Sequence, residues 1–165
     1  MRPGRFVGDV DWSSWEPTIR ATLLFVIRDG RVLLIHKKRG IGAGKINGPG
    51  GKIDPGETAM ECAVRETLEE LLITATGVAE AGRLRFEFVD GTRIDCDVFT
   101  ATGYEGEPTE TDEAIPLWFA LDEVPYERMW PDDELWFPLM FAGQRFDGRC
   151  VFDDDTLLDA AIDQA

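Results

Sequence analysis

Glu66, Glu69 and Glu70 stand at i, i+3 and i+4, a spacing that gathers three carboxylates on one patch of a helix. Groups so close repel, and one tends to hold a proton unless a cation screens them. Oxygen-only donors suit a hard divalent ion, Mg2+ or else Mn2+. Arg65, one residue upstream, reaches Glu69 at i+4. A solvated helix face on an acidic protein has the same composition, so the surroundings must decide. Immediately before the cluster runs Lys45-Ile-Asn-Gly-Pro-Gly-Gly-Lys-Ile-Asp-Pro-Gly-Glu57. Its glycines allow backbone to approach a phosphate or a metal where side chains would obstruct. It is not a Walker loop. Counting back from Gly51-Lys52 puts Ile46 where a glycine is required, Ile53 replaces Ser/Thr, and counting back from Gly44-Lys45 meets Arg39.

A second chemical constellation is Met129-Trp-Pro-Asp-Asp133. Trp130 offers a flat face for stacking a base, worth about 1–3 kcal/mol. Asp132 and Asp133, close together and partly desolvated, should not both ionise freely. One protonated and one ionised carboxyl present a donor and an acceptor to a purine edge, and tolerate tautomers that a fixed amide rejects. The plainer alternative is an acidic helix start, where aspartates favour the dipole.

These groups need elements to hold them. Ala21–Arg28 and Arg31–Lys37 are apolar, β-branched-rich runs around Asp29-Gly30, a strong hairpin signal. Leu84–Val89 and Thr92–Thr102 repeat the device around Asp90-Gly91, a weaker third hairpin is expected around Asp147-Gly148, and Ile115–Ala120 reads as another strand. Between the two strong hairpins the spacing predicts a helix from Thr58 to about Leu72, with Thr58-Ala-Met-Glu61 as a capping box. Met60, Val64, Thr67, Leu68 and Leu71 form its core-facing stripe, with the glutamates on the other side. A second helix is expected near Asp132 or Asp133, through Leu135, Trp136 and Leu139. Strands on both sides of a central helix argue for a mixed α/β sandwich rather than a doubly wound parallel sheet. Residues 1–18, with Trp12 and Trp15, read as a loosely packed N-terminal extension to a single domain over 19–165.

Taken end to end, Gly51, five residues, Glu57, seven residues and Arg65-Glu66-Thr67-Leu68-Glu69-Glu70-Leu71-Leu72-Ile73 resemble the Nudix box, G-x5-E-x7-R-E-U-x-E-E-x-G-U. Two positions depart: Thr67 stands where a bulky aliphatic is usual, and Leu72 replaces the last glycine. The Thr67 hydroxyl can bond back to the Ala63 carbonyl. Leu72 implies that the helix runs on or ends differently, since that glycine normally permits the left-handed turn. The stretches His36–Gly48 and Met129–Leu139 further resemble the oxidised purine nucleoside triphosphatase branch, the 8-oxo-dGTP diphosphatase type, from about Thr22 to the C-terminus.

The resemblance implies an α/β/α sandwich with a mixed sheet and one catalytic helix. It implies metal-dependent hydrolysis of an oxidised purine nucleoside triphosphate to monophosphate and pyrophosphate, which cleanses the nucleotide pool. By it Glu66, Glu69, Glu70, Glu113 and the Gly50 carbonyl are metal ligands, and Arg65 orients the carboxylates as part of the catalytic set. Glu57 is structural. Thr22, Lys37, Asn47, Pro49, Gly50, Gly51, Lys52, Phe86, Trp130, Pro131, Asp132 and Asp133 are substrate-binding residues. Ile41 takes a place where the branch can carry an aromatic. His36, the one histidine, reads as a strand residue beside the site, which leaves base catalysis to a carboxylate. Alternatives are a broader Nudix hydrolase acting on dNTPs, ADP-ribose, dinucleoside polyphosphates or capped RNA, and a catalytically silent nucleotide-binding sensor.

Charge constrains the partners. In 165 residues, 17 basic against 32 acidic side chains leave a net charge of −15, which repels nucleic-acid polymers and anionic membranes. A small nucleotide remains possible with a metal or a local basic cluster, and Lys37, Lys38, Arg39, Lys45 and Lys52 supply the latter. Three scattered cysteines without a C-x-x-C pair disfavour a disulfide scaffold or a thiolate zinc site. With no signal-like apolar segment, a cytoplasmic protein is expected, and a monomer is favoured over an oligomer.

Overall fold

A computed structural model describes residues 5–165. Eleven strands and two α-helices follow one another as β1 (Ile19–Arg28), β2 (Arg31–Lys37), β3 (Ile46–Asn47), β4 (Gly50–Lys52), α1 (Ala59–Leu71), β5 (Thr74–Thr76), β6 (Ala79–Phe88), β7 (Arg93–Ala101), β8 (Gly103–Glu105), β9 (Ala114–Ala120), α2 (Asp133–Phe141), β10 (Phe146–Asp153) and β11 (Thr156–Gln164). Nine strands make one mixed sheet in the order β11-β10-β6-β7-β1-β2-β3, with β4 also on β1 and β9 on β2; β5 and β8 pair separately. The β1–β7 and β10–β6 ladders are parallel.

Side-chain alternation along β1 builds both layers. Leu24 and Val26 join Leu33, Phe99, Ala63 and Leu71 in a core beneath α1. Phe25 points the other way, into a core with Trp136, Phe137 and Phe146 beneath α2. The sheet is therefore covered on both faces, the α/β/α arrangement expected of the pattern. The Asp29-Gly30 hairpin forms with positive φ at both residues, 53° and 72°, as a tight primed turn requires.

The third hairpin is placed differently. Asp147 and Gly148 lie inside β10, and the chain reverses at Asp154-Asp155 with Asp154 at φ 55°. Gly148 serves packing instead: a Cβ there would lie 2.7 Å from Leu84 Cδ2 and 2.8 Å from Ile162 Cδ1.

The stripe on α1 is also rotated. Cys62, Ala63, Thr67, Glu70 and Leu71 are buried, whereas Met60, Leu68 and Leu72 are exposed. Small residues let the helix lie close to the sheet, and the larger apolar side chains are left outside. The capping box forms as expected, Glu61 N donating to Thr58 Oγ1 at 3.1 Å and Thr58 N to Glu61 Oε1 at 3.0 Å. Thr67 Oγ1 donates to the Ala63 carbonyl at 2.8 Å.

The helix does not run on past the missing glycine. Leu72 takes the left-handed conformation itself, at φ 61°, ψ 31°, with its N–H on Leu68 O. A side chain there costs roughly 1–2 kcal/mol, and glycine returns part of that gain through unfolded-state freedom. Leu72→Gly is therefore expected to raise stability by up to about 1 kcal/mol, a shift of roughly 2–4 °C in a thermal melt.

Among the described residues, the segment from Val7 to Trp15 before β1 is tied down rather than loose. Val7 N donates to Asp159 Oδ2 at 2.9 Å and Trp15 Nε1 to Glu87 Oε2 at 2.8 Å. No helix among the described residues is long and apolar enough to cross a membrane.

Candidate active site

β4 pairs with the first half of β1, Gly50 opposite Leu23 and Gly51 opposite Thr22, which leaves no room for side chains between loop and helix. A Cβ on Gly50 would overlap the Thr22 carbonyl, and one on Gly51 would lie within 2.7 Å of Glu66 Oε2. The two glycines thus protect different things. A backbone cannot retreat, so Gly50→Ala is expected to destabilise the fold. A carboxylate can retreat, so Gly51→Ala should leave the melting temperature nearly unchanged and lower kcat about 100-fold, the cost of roughly 1 Å of misplacement. Melts and steady-state kinetics on both variants separate the two effects.

Arg65 organises the acidic surface. Its guanidinium donates to Glu57 from Nε at 2.7 Å and Nη2 at 2.9 Å, to Glu66 Oε1 at 2.9 Å and to Glu69 Oε2 at 3.3 Å. It also reaches the Lys52 carbonyl at 3.2 Å. The Arg65 bonds hold the Glu57 carboxyl down to about 2, and the same contacts keep the guanidinium firmly charged. Burial raises Glu66, against the pull of Arg65. Glu70 lies deepest: burial, then the charge of Glu66, push it up to about 8, against Lys37 and the Gly50 backbone.

Glu66, Glu70 and Glu113 each bring a carboxylate oxygen within 4.8 Å of the others. Glu113 comes from the segment before β9, held where the Thr111 hydroxyl donates to the Glu70 carbonyl at 2.7 Å and Lys38 N to Glu113 O at 2.9 Å. Glu69 stands outside this trio, half exposed on the Arg65 fork. Glu70 Oε2 is buried with no hydrogen-bond partner among the described residues. A buried carboxylate oxygen that lacks any donor, facing two further carboxylates, fits a divalent cation. His36 lies in β2 and belongs neither to this trio nor to the adjoining cavity.

That cavity, about 310 Å³, opens between β1, β4, β6, β7 and α2. Thr22, Lys37, Asn47, Gly50, Gly51, Lys52, Phe86, Trp130, Asp132 and Asp133 line it, as does Ile41 at the rim; Pro49 and Pro131 do not. The aspartates do stand at a helix start, Asp132 as N-cap and Asp133 as the first residue of α2, but they are buried, at 2% and 3% exposure, rather than solvated. Trp136 Nε1 donates to Asp132 Oδ2 at 2.8 Å, while Asp133 Oδ2 has no partner among the described residues. Burial raises both carboxyls; the Trp136 bond restrains Asp132, and the charge of Asp132 drives Asp133 higher. The pair is thus biased toward holding a proton, and the Trp136 bond favours the ionised form at Asp132.

Several lining residues were not singled out as site residues from the sequence, Phe88, Ile94, Cys96, Trp136 and Phe152 among them. For Phe88, Ile94 and Cys96 the signal was strand alternation, Phe86/Phe88 and Ile94/Cys96, which fixes their side of the sheet but not that it is hollow. Phe152 meets the Trp130 ring edge-on at 5.6 Å, and Lys45 Nζ lies 5.1 Å from that ring's centroid. The basic cluster is partly neutralised by Lys38–Glu110, Arg39–Glu113 and Lys45–Asp155 pairs. Lys37 and Lys52 carry no ion pair among the described residues and line the cavity.

Residues 17–140 match the NUDIX domain family. The chain belongs to the Nudix hydrolases. It is 47% identical over 145 residues to an oxidized purine nucleoside triphosphate hydrolase of Danio rerio, covering 87% of this chain and 93% of that protein. With the Mus musculus protein of the same description it shares 43% over 143 residues, 86% and 92% of the two chains. A crystal structure of a MutT protein from Bacillus halodurans superposes with a TM-score of 0.79 at 29% identity, over 88% of this Nudix chain and 97% of that one.

Proposed function

We propose that the domain over residues 19–165 hydrolyses oxidised purine nucleoside triphosphates, of the 8-oxo-dGTP type, to the monophosphate and pyrophosphate in the cytoplasm. The observation that carries this reading is the buried Asp132/Asp133 pair beside Trp130, in the same cavity whose Gly51 edge adjoins the Glu66 carboxylate. An ionised acceptor beside a protonated donor matches a purine edge whose oxidation has changed its donor and acceptor pattern, and the names of both vertebrate relatives support the same substrate.

Glu66, Glu70 and Glu113, with the Gly50 carbonyl, would hold Mg2+; Glu69 stays on the Arg65 fork as a reserve ligand or base. When bound, Mg2+ offsets charge on the phosphate oxygens and lowers the pKa of water. The chain supplies the rest. Lys37 and Lys52 draw in the triphosphate, Arg65 fixes the carboxylates, and a glutamate positions or deprotonates the attacking water. Thr22, Asn47 and Phe86 line the base and sugar side of the cleft. The net charge of −15 argues against polymer or membrane partners.

The test is pyrophosphate release with Mg2+ from 8-oxo-dGTP, 2-hydroxy-dATP, dGTP and ADP-ribose, compared as kcat/KM. The expected result is a preference of about 100-fold or more for an oxidised triphosphate, about 2.7 kcal/mol of discrimination. Equal rates for all triphosphates, or preference for ADP-ribose, would leave the Nudix chemistry and remove the oxidised-purine assignment. Saturable binding without turnover would make the chain a sensor.

A further inference from the structure

A second concavity, about 450 Å³, lies on the opposite side of the sheet from the base cavity. Register sets Arg20 beside Asp95 and Asp95 beside Arg85 across β1, β7 and β6, on the face that Leu24 and Val26 share. Alternation sends their neighbours Ile94, Cys96 and Phe86 into the base cavity. Arg83 completes the floor, and Trp12 and Trp15 from the N-terminal segment close it. The two indoles lie with centroids 5.5 Å apart.

The charges here do not balance. Asp95 is already taken by a two-pronged Arg83 contact, at 2.9 and 2.6 Å, with Arg20 at 3.8 Å. Glu87, the next carboxylate along β6, is taken by Arg93 at 2.9 Å and by Trp15 Nε1 at 2.8 Å. Arg85 makes no ion pair among the described residues, and its Nε is buried with no acceptor there. Among the lining residues three guanidiniums face Asp95 and Glu16, an excess of one positive charge, with Asp97 bordering Arg83, in a chain whose net charge is −15. Buried donors in folded proteins are paired, and a guanidinium fork matches the oxygens of a phosphate.

We propose that this pocket is a second, anion-selective site that takes a phosphate-class oxyanion, with Arg85 as its anchor, Arg20 at its mouth and the two indoles as its wall. Its ligand is free inorganic phosphate or pyrophosphate, or the phosphate end of a nucleoside monophosphate. This inference stands on geometry separate from the active site and does not depend on the substrate reading.

The experiment is titration of the metal-free full chain, in chelator and low salt, with orthophosphate, pyrophosphate and a nucleoside monophosphate, by calorimetry and tryptophan fluorescence. Arg85→Met is expected to weaken binding about tenfold or more, as loss of one charge-assisted fork implies, with triphosphate turnover unchanged. Arg20→Gln, at an exposed side chain, should weaken it severalfold and serves if Arg85→Met fails to fold. Trp130→Ala should leave binding of the inorganic anions as it was. Tighter binding of the monophosphate than of orthophosphate, still dependent on Arg20 and Arg85, would name the nucleotide as ligand; the reverse would name the inorganic anion. No saturable binding by the wild type, or binding indifferent to both arginine variants, would overturn the proposal.

Discussion

Glu70→Gln is expected to lower kcat about 10²–10⁴-fold while the metal-free protein becomes no less stable. The amide keeps the shape of a side chain only 4% exposed and removes the charge a cation needs. The pH dependence of stability distinguishes this from simple damage. Burial and Glu66 raise the Glu70 carboxyl from 4.5 to about 8 in the folded state, so the folded protein holds the proton more tightly than the unfolded chain. Its contribution is then fully present below the unfolded value and is lost as pH rises through about 8. Metal-free wild type should lose stability across that window, and Glu70→Gln should lose less. Added Mg2+ should raise the melting temperature of the wild type, since it binds only the folded chain, and should fail to do so for the variant. Full activity in Glu70→Gln would remove this side chain from the chemistry.

The second large effect is expected at the aspartate pair. In the proposed pairing Asp132→Asn exchanges an ionised acceptor for a group that carries a donor, and Asp133→Asn fixes a donor that no longer depends on pH. Asp132→Asn should cost kcat/KM toward an oxidised purine about 100-fold, in line with an unpaired polar group in a site built to pair it, and far less toward a poor substrate such as dGTP. Asp133, raised by burial and by its neighbour, should give the wild type an alkaline limb in kcat/KM as its proton is lost. Asp133→Asn should flatten that limb. Both carboxyls are raised on folding, so their protons stabilise the protein at low pH and that contribution falls as pH climbs through their folded values. Equal losses for oxidised and normal triphosphates would show that the pair does not read the base.

Much of this site was legible in the sequence because tight local rules govern it. Asp-Gly turns, the Thr58/Glu61 capping box and the spacing of Glu57, Arg65, Glu66 and Glu70 each act within a few residues. What was not legible depends on surfaces meeting at a distance. Hydrophobicity nominated Met60 and Leu68 for the interior of α1, but the sheet admits Cys62, Ala63, Thr67 and Leu71 there, and Glu70 is buried where the helix meets the segment that carries Thr111 and Glu113. Gly148 resembles a turn residue until Leu84 and Ile162 approach it from neighbouring strands. The unpaired state of Arg85 follows from which partners Asp95 and Glu87 take, which no spacing rule records.

The clasp around Glu113 has a kinetic meaning. One side of the trio sits on a capped helix, the other on a largely exposed stretch running from Glu107 to Asp112, tied to the end of that helix by the Thr111 hydroxyl on Glu70 O and by Thr109 N on Leu71 O. An ion shared between two such parts leaves when the weaker part opens, without any unfolding of the helix. A cation held there would have its residence time set by the Thr109 and Thr111 tethers, and metal exchange would report on the opening of that strap rather than on the strength of the carboxylates.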